Sequence, residues 1–341
     1  MALGEPRGAR GLRVLVTGGA GYIGSFVVRH LLDAGHAVTV YDSLYAGNRW
    51  AAQEAELVVA ELGDRERLDA VLGAGCDAVV HCAAHIWVGE SVRDPAKYYR
   101  NNTAGAIGLF DACARHAVRH VVFSSTAAVY GEPDLPLIPE TAPLAPINPY
   151  GASKMMAERV LADIAAAHGL THATLRYFNV AGADADARIG EATPDNSHLV
   201  KVACETAAGL RPGMRINGTD YPTADGTCVR DYVHVDDLAR AHLLALEHLA
   251  GGGGSVTLNC GYGHGFSVRE VLEAVRRASG VEFPIAEGPR RPGDPPVLVA
   301  DPARIREVLG WRPRHDDLDY IVATAWRWEQ RLQAMRGSAQ A

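Results

Sequence analysis

Tyr150 and Lys154 stand four residues apart in the run Pro149-Tyr-Gly-Ala-Ser-Lys154, a spacing that puts a phenol and an ammonium on one face of the helix that Pro149 helps to begin. A phenol beside a cation loses its proton more readily than one in water, so the Tyr150 pKa is expected to fall from about 10 toward neutral, where it can serve as a general base. Such a pair is also common on ordinary helix surfaces, and alone it decides nothing. Its company matters more. Ser124-Ser125-Thr126 closes an apolar run about two dozen residues earlier, and a hydroxyl there can share a substrate's hydrogen bond with the phenol.

A second constellation lies near the start of the chain. Arg13–Thr17 reads as a strand running into Gly18-Gly19-Ala20-Gly21-Tyr22-Ile23-Gly24 and then a helix. In such a turn Gly18 permits the bend, Gly21 lets backbone amides approach a pyrophosphate, and Gly24 lets the helix pack on the strand. The second strand ends at Asp42, where a carboxylate can accept both hydroxyls of an adenosine ribose and would repel a 2′-phosphate. No arginine directly follows it. NAD is therefore expected rather than NADP, and its positive nicotinamide ring would further favour the Tyr150 phenolate. Glu61 and Leu62, after the apolar run Leu57–Ala60, stand where the adenine edge would fall, although an exposed loop glutamate reads nearly as well.

The elements that must position these groups alternate. Strands are expected at Arg13–Thr17, Ala37–Tyr41, Ala78–His81, His120–Ser124 and His172–Tyr177, with helices at Gly24–Ala34, Arg65–Leu72, Asn102–His116 and Tyr150–His168. That order predicts an α/β fold with a doubly wound parallel sheet of the Rossmann kind. After Asn179 the chain becomes richer in Gly and Asp, with helical patterns at His198–Gly209 and Leu238–Leu249 and a strand at Ser255–Asn259 after the turn Gly251–Gly254. The expected division is an NAD-binding domain over 1–180 and a smaller C-terminal α/β substrate-binding portion over 181–341, with segments near 230–260 returning to the first.

At 341 residues, 48% hydrophobic and a net charge of −7, the chain can bury a large core and carries no global basic field for nucleic acid or anionic membranes. Six scattered cysteines form no metal-ligand spacing and read as reduced thiols, so no metal and a cytoplasmic location are expected. The leader from Met1 to Leu12 has no apolar run of signal-peptide length, and no stretch approaches the ~18 apolar residues of a membrane span.

Together TGGAGYIG, the SST…YGASK arrangement and DYPTADGTCVRDYVHV resemble the extended short-chain dehydrogenase/reductase family, and within it the UDP-glucose (UDP-galactose) 4-epimerases, from about Arg13 to about Gln330. The resemblance implies roles residue by residue. Thr126 would bond the sugar 4-oxygen, Tyr150 would be the base and acid, and Lys154 would hold the nicotinamide ribose. Around NAD it places Gly18, Gly21, Tyr22, Ile23, Gly24, then Asp42, Ser43, Leu44, Tyr45, Ala46 and Gly47, then Glu61, Leu62, Cys82, Ala83, Ala84, Asn101 and Phe178. Asn179, Arg230, Arg291 and Asp294 would hold the nucleotide sugar, the two arginines on its diphosphate. His198, Arg215, Asn217 and Leu298 would line the rest, Leu298 facing the hexose where a tyrosine excludes a 2-acetamido group.

Three positions depart from the family pattern. Ile86 stands where a lysine near the cofactor phosphates is often found, Asn217 replaces an aromatic that lies against uracil, and His198 replaces an amide. The implied activity is interconversion of UDP-glucose and UDP-galactose through a 4-keto sugar, with a homodimer built on helices between residues 90 and 170. Epimerases of UDP-N-acetylhexosamines, UDP-uronates or TDP-hexoses remain alternatives, a uronate requiring a cation near C6 such as Arg188 or Lys201. A 4,6-dehydratase or decarboxylase is disfavoured because Ala127-Ala128 follow Thr126 where those enzymes carry acidic groups. A non-catalytic NAD sensor is disfavoured because both Tyr150 and Lys154 are kept.

Overall fold

The computed structural model describes residues 11–194, 196–291 and 294–340. Most of the leader weighed above, residues 1–10, lies outside them.

In the first half, strands and crossover helices alternate: β1 (Arg13–Thr17), α1 (Tyr22–Asp33), β2 (Ala37–Asp42), β3 (Glu56–Val59), α2 (Arg65–Gly73), β4 (Ala78–His81), α3 (Val88–Arg93), α4 (Pro95–Tyr98), α5 (Ala106–Arg115), β5 (His120–Ser124), α6 (Pro149–His168) and β6 (Thr171–Tyr177). β4 is buried along its whole length and β5 nearly so, as expected of parallel strands covered on both faces. The second half contributes β7 (Asn179–Ala181), α7 (Leu199–Ala207), β8 (Met214–Asn217), β9 (Val229–Arg230), β10 (Tyr232–His234), α8 (Val235–Ala250), β11 (Val256–Cys260), β12 (Phe266–Ser267), α9 (Val268–Ser279), β13 (Ile285–Gly288), β14 (Val297–Leu298), α10 (Ala303–Leu309) and α11 (Leu318–Gln340).

Seven strands form one parallel sheet in the order β11-β6-β5-β4-β1-β2-β3. α1 and α8 pack on one face and α2, α5 and α6 on the other, so each face has its own apolar core. The fold is the doubly wound α/β sheet that the sequence predicts. The chain runs outward from β1 to β3, then restarts at β4 on the other side of β1. Loops after β1 and β4 therefore diverge, which opens a crevice at their carboxyl ends. The short strands of the second half form separate pairs and triplets, β7 with β10, β8 with β13, and β12-β9-β14.

Two helices differ from expectation. The first starts at Tyr22 rather than Gly24, because Gly21 in extended conformation already serves as its N-cap. The helix expected from Asn102 is instead a widened π turn, Tyr99–Gly105, that leads into α5. Asn102 is buried there and bonds both the amide and the carbonyl of His85 (2.8 and 3.0 Å), which explains why the regular ladder is interrupted. Among the described residues no helix is long and apolar enough to cross a membrane.

Candidate active site

The glycine turn is dictated by space. Gly18 has φ +73°, and a Cβ on it would lie 2.6 Å from the Ala83 amide in the loop after β4. A Cβ on Gly24 would run into the Gly18 carbonyl. At Gly21 the nearest atom to an added Cβ is the Gly18 oxygen at 3.2 Å, and α1 begins there with no side-chain cap, which leaves its first amides for an anion. At the end of β2 the buried Asp42 carboxylate accepts from Ala20 N (3.0 Å) and Leu44 N (2.8 Å). Burial raises its pKa and the two amides oppose that shift. This cradle, with a carboxylate at the ribose end and uncapped amides at the phosphate end, fits NAD.

The rest of the expected cofactor set gathers along the same sheet edge. Ser43 to Gly47 follow β2, Leu44 with φ +60°, and Gly47 approaches Ala20 so closely that a Cβ would sit 2.9 Å from its oxygen. Leu62 and Asn101 line one cavity of about 430 Å³, whose wall also includes Gly63, His85 and Lys97. Glu61 is exposed beside it, its carbonyl accepting from the Tyr41 hydroxyl at 3.0 Å. Cys82, Ala83 and Ala84 leave β4, and Phe178 is buried between β6 and β7. Tyr22 spends its hydroxyl on the Gly182 carbonyl at 2.6 Å and Ile23 packs against the core, so what either offers a ligand is backbone.

Thr126, Tyr150 and Lys154 converge at the carboxyl ends of β5 and β6. All three are buried. Thr126 Oγ1 accepts from Ala128 N at 3.2 Å and lies beside the Tyr150 hydroxyl. Burial raises the Tyr150 pKa and the Thr126 hydrogen bond pulls it back. This corrects the expectation that Lys154 depresses it. The ammonium instead donates to the Ser124 carbonyl at 2.8 Å and lies 4.9 Å from the Phe123 ring centroid, with burial lowering its own pKa to about 8. In the chain itself, the hydroxyl of Thr126 is what favours the phenolate.

Behind this trio Ser124 and Ser125 meet groups that the sequence did not single out, Glu158, Arg176, Tyr130, Asn259 and His242. Ser125 Oγ donates to Glu158, one turn beyond Lys154, and Glu158 is held by the Arg176 fork (Nε–Oε1 3.0 Å, Nη2–Oε2 2.6 Å). Arg176 continues to the Tyr130 hydroxyl at 3.0 Å, and Tyr130 donates to Asn259 Oδ1 at 2.7 Å. On the other side the Ser124 hydroxyl meets His242 Nε2 at 2.7 Å, while His242 Nδ1 donates to Leu238 O. Burial lowers the His242 pKa to about 4, so the ring is a neutral acceptor. The one local signal is a glutamate four residues after Lys154 on α6; its arginine partner comes from β6.

Among the residues expected at the sugar, Arg230 is nearly buried, paired with Asp294 and bonded to the Val229 carbonyl at 2.8 Å. Leu298 faces Arg230 across β14 and β9, and it packs on the cluster of Ala127, Val129, Tyr130 and Phe178. Asn179 begins β7, its amide bonded to the Asp231 carbonyl at 2.9 Å. Arg291 is exposed. Arg215 and Asn217 lie on β8, with Arg215 exposed. His198 caps α7 and bonds Glu191 at 2.7 Å; burial opposes its charge, but Glu191 raises its pKa overall. Arg188 pairs with Asp184 and Asp186, and Lys201 is buried against Glu205 and Glu329, so both cations already have carboxylate partners. No group of three His, Cys, Asp or Glu among the described residues is placed to hold a metal.

A glycine cradle, a ribose carboxylate and a buried Thr-Tyr-Lys trio on one doubly wound sheet accord with the sequence comparison, in which residues 14–261 match the NAD dependent epimerase/dehydratase family. The chain belongs to that family. It is 56% identical over 329 residues to the UDP-glucose 4-epimerase of Azospirillum brasilense, with 96% of this chain and 94% of the relative covered. Against the UDP-glucose 4-epimerase of Lacticaseibacillus casei it is 47% identical, over 94% of this chain and 97% of the relative. Among solved structures, the UDP-glucose 4-epimerase from Brucella ovis in complex with NAD superposes with a TM-score of 0.91 at 46% identity, covering 93% of this chain and 98% of that one. The UDP-Glc/GlcNAc 4-epimerase from Campylobacter jejuni gives 0.83 at 46% identity, covering 94% and 100%.

Proposed function

We propose that this chain is an NAD-dependent nucleotide-sugar 4-epimerase that interconverts UDP-glucose and UDP-galactose. The observation that carries the reading is the buried trio of Thr126, Tyr150 and Lys154 at the carboxyl end of β5, beside a cradle suited to NAD. The activities of the similar proteins support the substrate class. NAD held in the cradle would supply reversible hydride acceptance at C4 of the sugar, so that turnover needs no external reductant. The chain's own part is proton transfer and orientation. Tyr150, as the phenolate that Thr126 helps to stabilise, takes the proton of the 4-hydroxyl and becomes a neutral phenol, and later returns the proton. Lys154 is placed to hold the ribose beside Tyr150. Arg230, oriented by Asp294, anchors the diphosphate together with Arg291 while the hexose turns to present its other face. Residues 181–341 supply most of these sugar-side groups and act as the substrate-binding portion.

The chain works as a homodimer in the cytoplasm. Val88 and Val92 on α3, Ile107 on α5 and Met156 on α6 are exposed apolar residues on neighbouring helices, which supports a self-association face there. Six unpaired cysteines support a reducing compartment. Sedimentation of the purified protein tests the dimer; a single monomeric species at micromolar concentration would remove it.

Purified protein should interconvert UDP-glucose and UDP-galactose without added reductant, and denaturation should release NAD rather than NADP, because the buried Asp42 leaves no place for a 2′-phosphate. Tyr150→Phe should keep the bound NAD and lose turnover on the order of 10²-fold or more. Activity within a few-fold of the parent would end the assignment of the base.

A further inference from the structure

The loops that leave β2 and β4 meet above the crevice. β1 lies between those two strands in the sheet, so a contact from one loop to the other crosses the path a dinucleotide takes along the carboxyl ends. Tyr45 makes that contact. Its hydroxyl accepts from Lys97 Nζ at 3.0 Å, the same ammonium lies 4.9 Å from its ring centroid, and the ring meets His85 edge-on at 5.1 Å and Trp87 at 6.1 Å.

The two halves of the bridge are unequally held. On the β4 side Lys97 also donates to Glu90 Oε1 at 2.7 Å, and the Tyr98 hydroxyl lies 2.8 Å from Glu90 Oε2 and 2.7 Å from the Trp87 carbonyl. His85 is fixed through Asn102, which also bonds Ser153 of α6 at 3.1 Å. On the β2 side Tyr45 is 53% exposed and follows Leu44, a branched residue at φ +60°. An aromatic ring that open to water gains little from burial, so its position depends on the oxygen, the cation and the two ring edges it meets. His85 and Lys97 also wall the cavity beside Leu62 and Asn101, which places the bridge at the mouth of that space.

We propose that Tyr45 and Lys97 form a clasp across the dinucleotide, so that this chain releases NAD only when the Tyr45 side chain swings off Lys97. The inference rests on the NAD-binding part of the reading above and assigns retention to residues outside the proton-transfer trio. It needs no change elsewhere in the fold, since the β4 half is braced whether or not Tyr45 is seated.

The test is the NAD dissociation rate of the holoprotein, followed by trapping released NAD with an unrelated NAD-consuming enzyme, in the parent, Tyr45→Phe, Tyr45→Ala and Lys97→Met. Tyr45→Ala should release NAD about tenfold faster, a change of about 1.4 kcal/mol in the barrier. Tyr45→Phe keeps the ring edges but not the oxygen and should fall between. Lys97→Met should accelerate release in the parent but add less than twofold to Tyr45→Ala, because the two act through one contact. Thermal unfolding of the apoproteins should stay together, since both side chains are partly exposed. Release from Tyr45→Ala within twofold of a parent that does carry NAD would overturn the clasp alone. A parent that holds no dinucleotide would overturn the NAD reading and the clasp with it.

Discussion

Lys154 Nζ rests 2.8 Å from the carbonyl oxygen of Ser124, two residues before Thr126, which ties α6, the helix of Tyr150, to the end of β5, the strand that leads into Thr126. Burial raises the Tyr150 pKa, and Thr126 is the neighbour that opposes the rise.

Thr126→Val should therefore move the acid limb of the pH–rate profile. The base works deprotonated, so activity rises as pH climbs through the Tyr150 pKa. Loss of the Thr126 donor raises that pKa and shifts the limb to higher pH by on the order of one unit, since a hydrogen bond to a charged group contributes about 1.5–3 kcal/mol. Thr126→Ser keeps the hydroxyl and should leave the limb in place. Profiles of kcat/KM for the three proteins decide it, and a Val variant with an unmoved limb would show that Thr126 only positions substrate.

Lys154 contributes to stability with the opposite sign to its contribution to catalysis. Its pKa is lowered by burial to about 8, so between about pH 8 and the ordinary lysine value near 10.5 the unfolded chain binds the proton and the folded chain does not. Stability rises with pH across that window, and the burial penalty is fully present below pH 8. Lys154→Met removes the charge at similar length. It should abolish most turnover yet raise the unfolding midpoint of the apoprotein at pH 7 by about a few degrees, with the gap to the parent closing above pH 10. A lower midpoint at pH 7 would mean that the Ser124 and Phe123 contacts outweigh desolvation.

What the sequence disclosed about the site was local. Gly18, Gly21 and Gly24 are needed by one turn, Asp42 ends the next strand, and Tyr150 and Lys154 share one helix, so spacing along the chain carried each of them. The wide turn at Tyr99–Gly105 was hidden because its cause, Asn102 bonding the loop at His85, is a tertiary contact. Arg230 and Asp294 are 64 residues apart, and Ser124 and His242 are 118 apart. No periodicity brings such pairs together; the sheet order does. Helix spacing places Lys154 near Tyr150 but does not show the burial that raises the phenol's pKa.

The Glu158–Arg176 pair should be the most costly of these hidden contacts to break from one side. Both groups are buried and bonded in a bidentate fork, and Ser125 adds a third partner next to Thr126. Arg176→Met leaves the Glu158 carboxylate uncompensated and should destabilise the protein by about 3–5 kcal/mol. In the Glu158→Gln/Arg176→Met double variant the buried charge is gone, and much of that loss should be recovered. Urea midpoints with equal slopes measure both; additive losses would show that the fork does not act as a unit.

Leu298 is expected to set how much room the sugar has at its second carbon. β14 holds it opposite Arg230, the Asp231 amide bonds its carbonyl at 3.2 Å, and its side chain packs toward Ala127 and Phe178, so it lies between the arginine expected at the diphosphate and the turn that carries Thr126. A partly buried leucine here offers neither the ring nor the hydroxyl of a tyrosine, so a 2-acetamido group should meet less obstruction. UDP-N-acetylglucosamine and UDP-N-acetylgalactosamine should then be interconverted within roughly tenfold of the plain hexoses, a difference of about 1.4 kcal/mol in barrier. Leu298→Tyr should suppress the acetamido pair selectively, and Leu298→Ala should not, because it enlarges the same space while loosening the cluster at Ala127. Steady-state kcat/KM for both substrate classes in the three proteins separates the two roles. If the parent turns over no acetamido sugar, or if Leu298→Tyr slows both classes equally, Leu298 is a packing residue of β14 and the width of the pocket is set elsewhere.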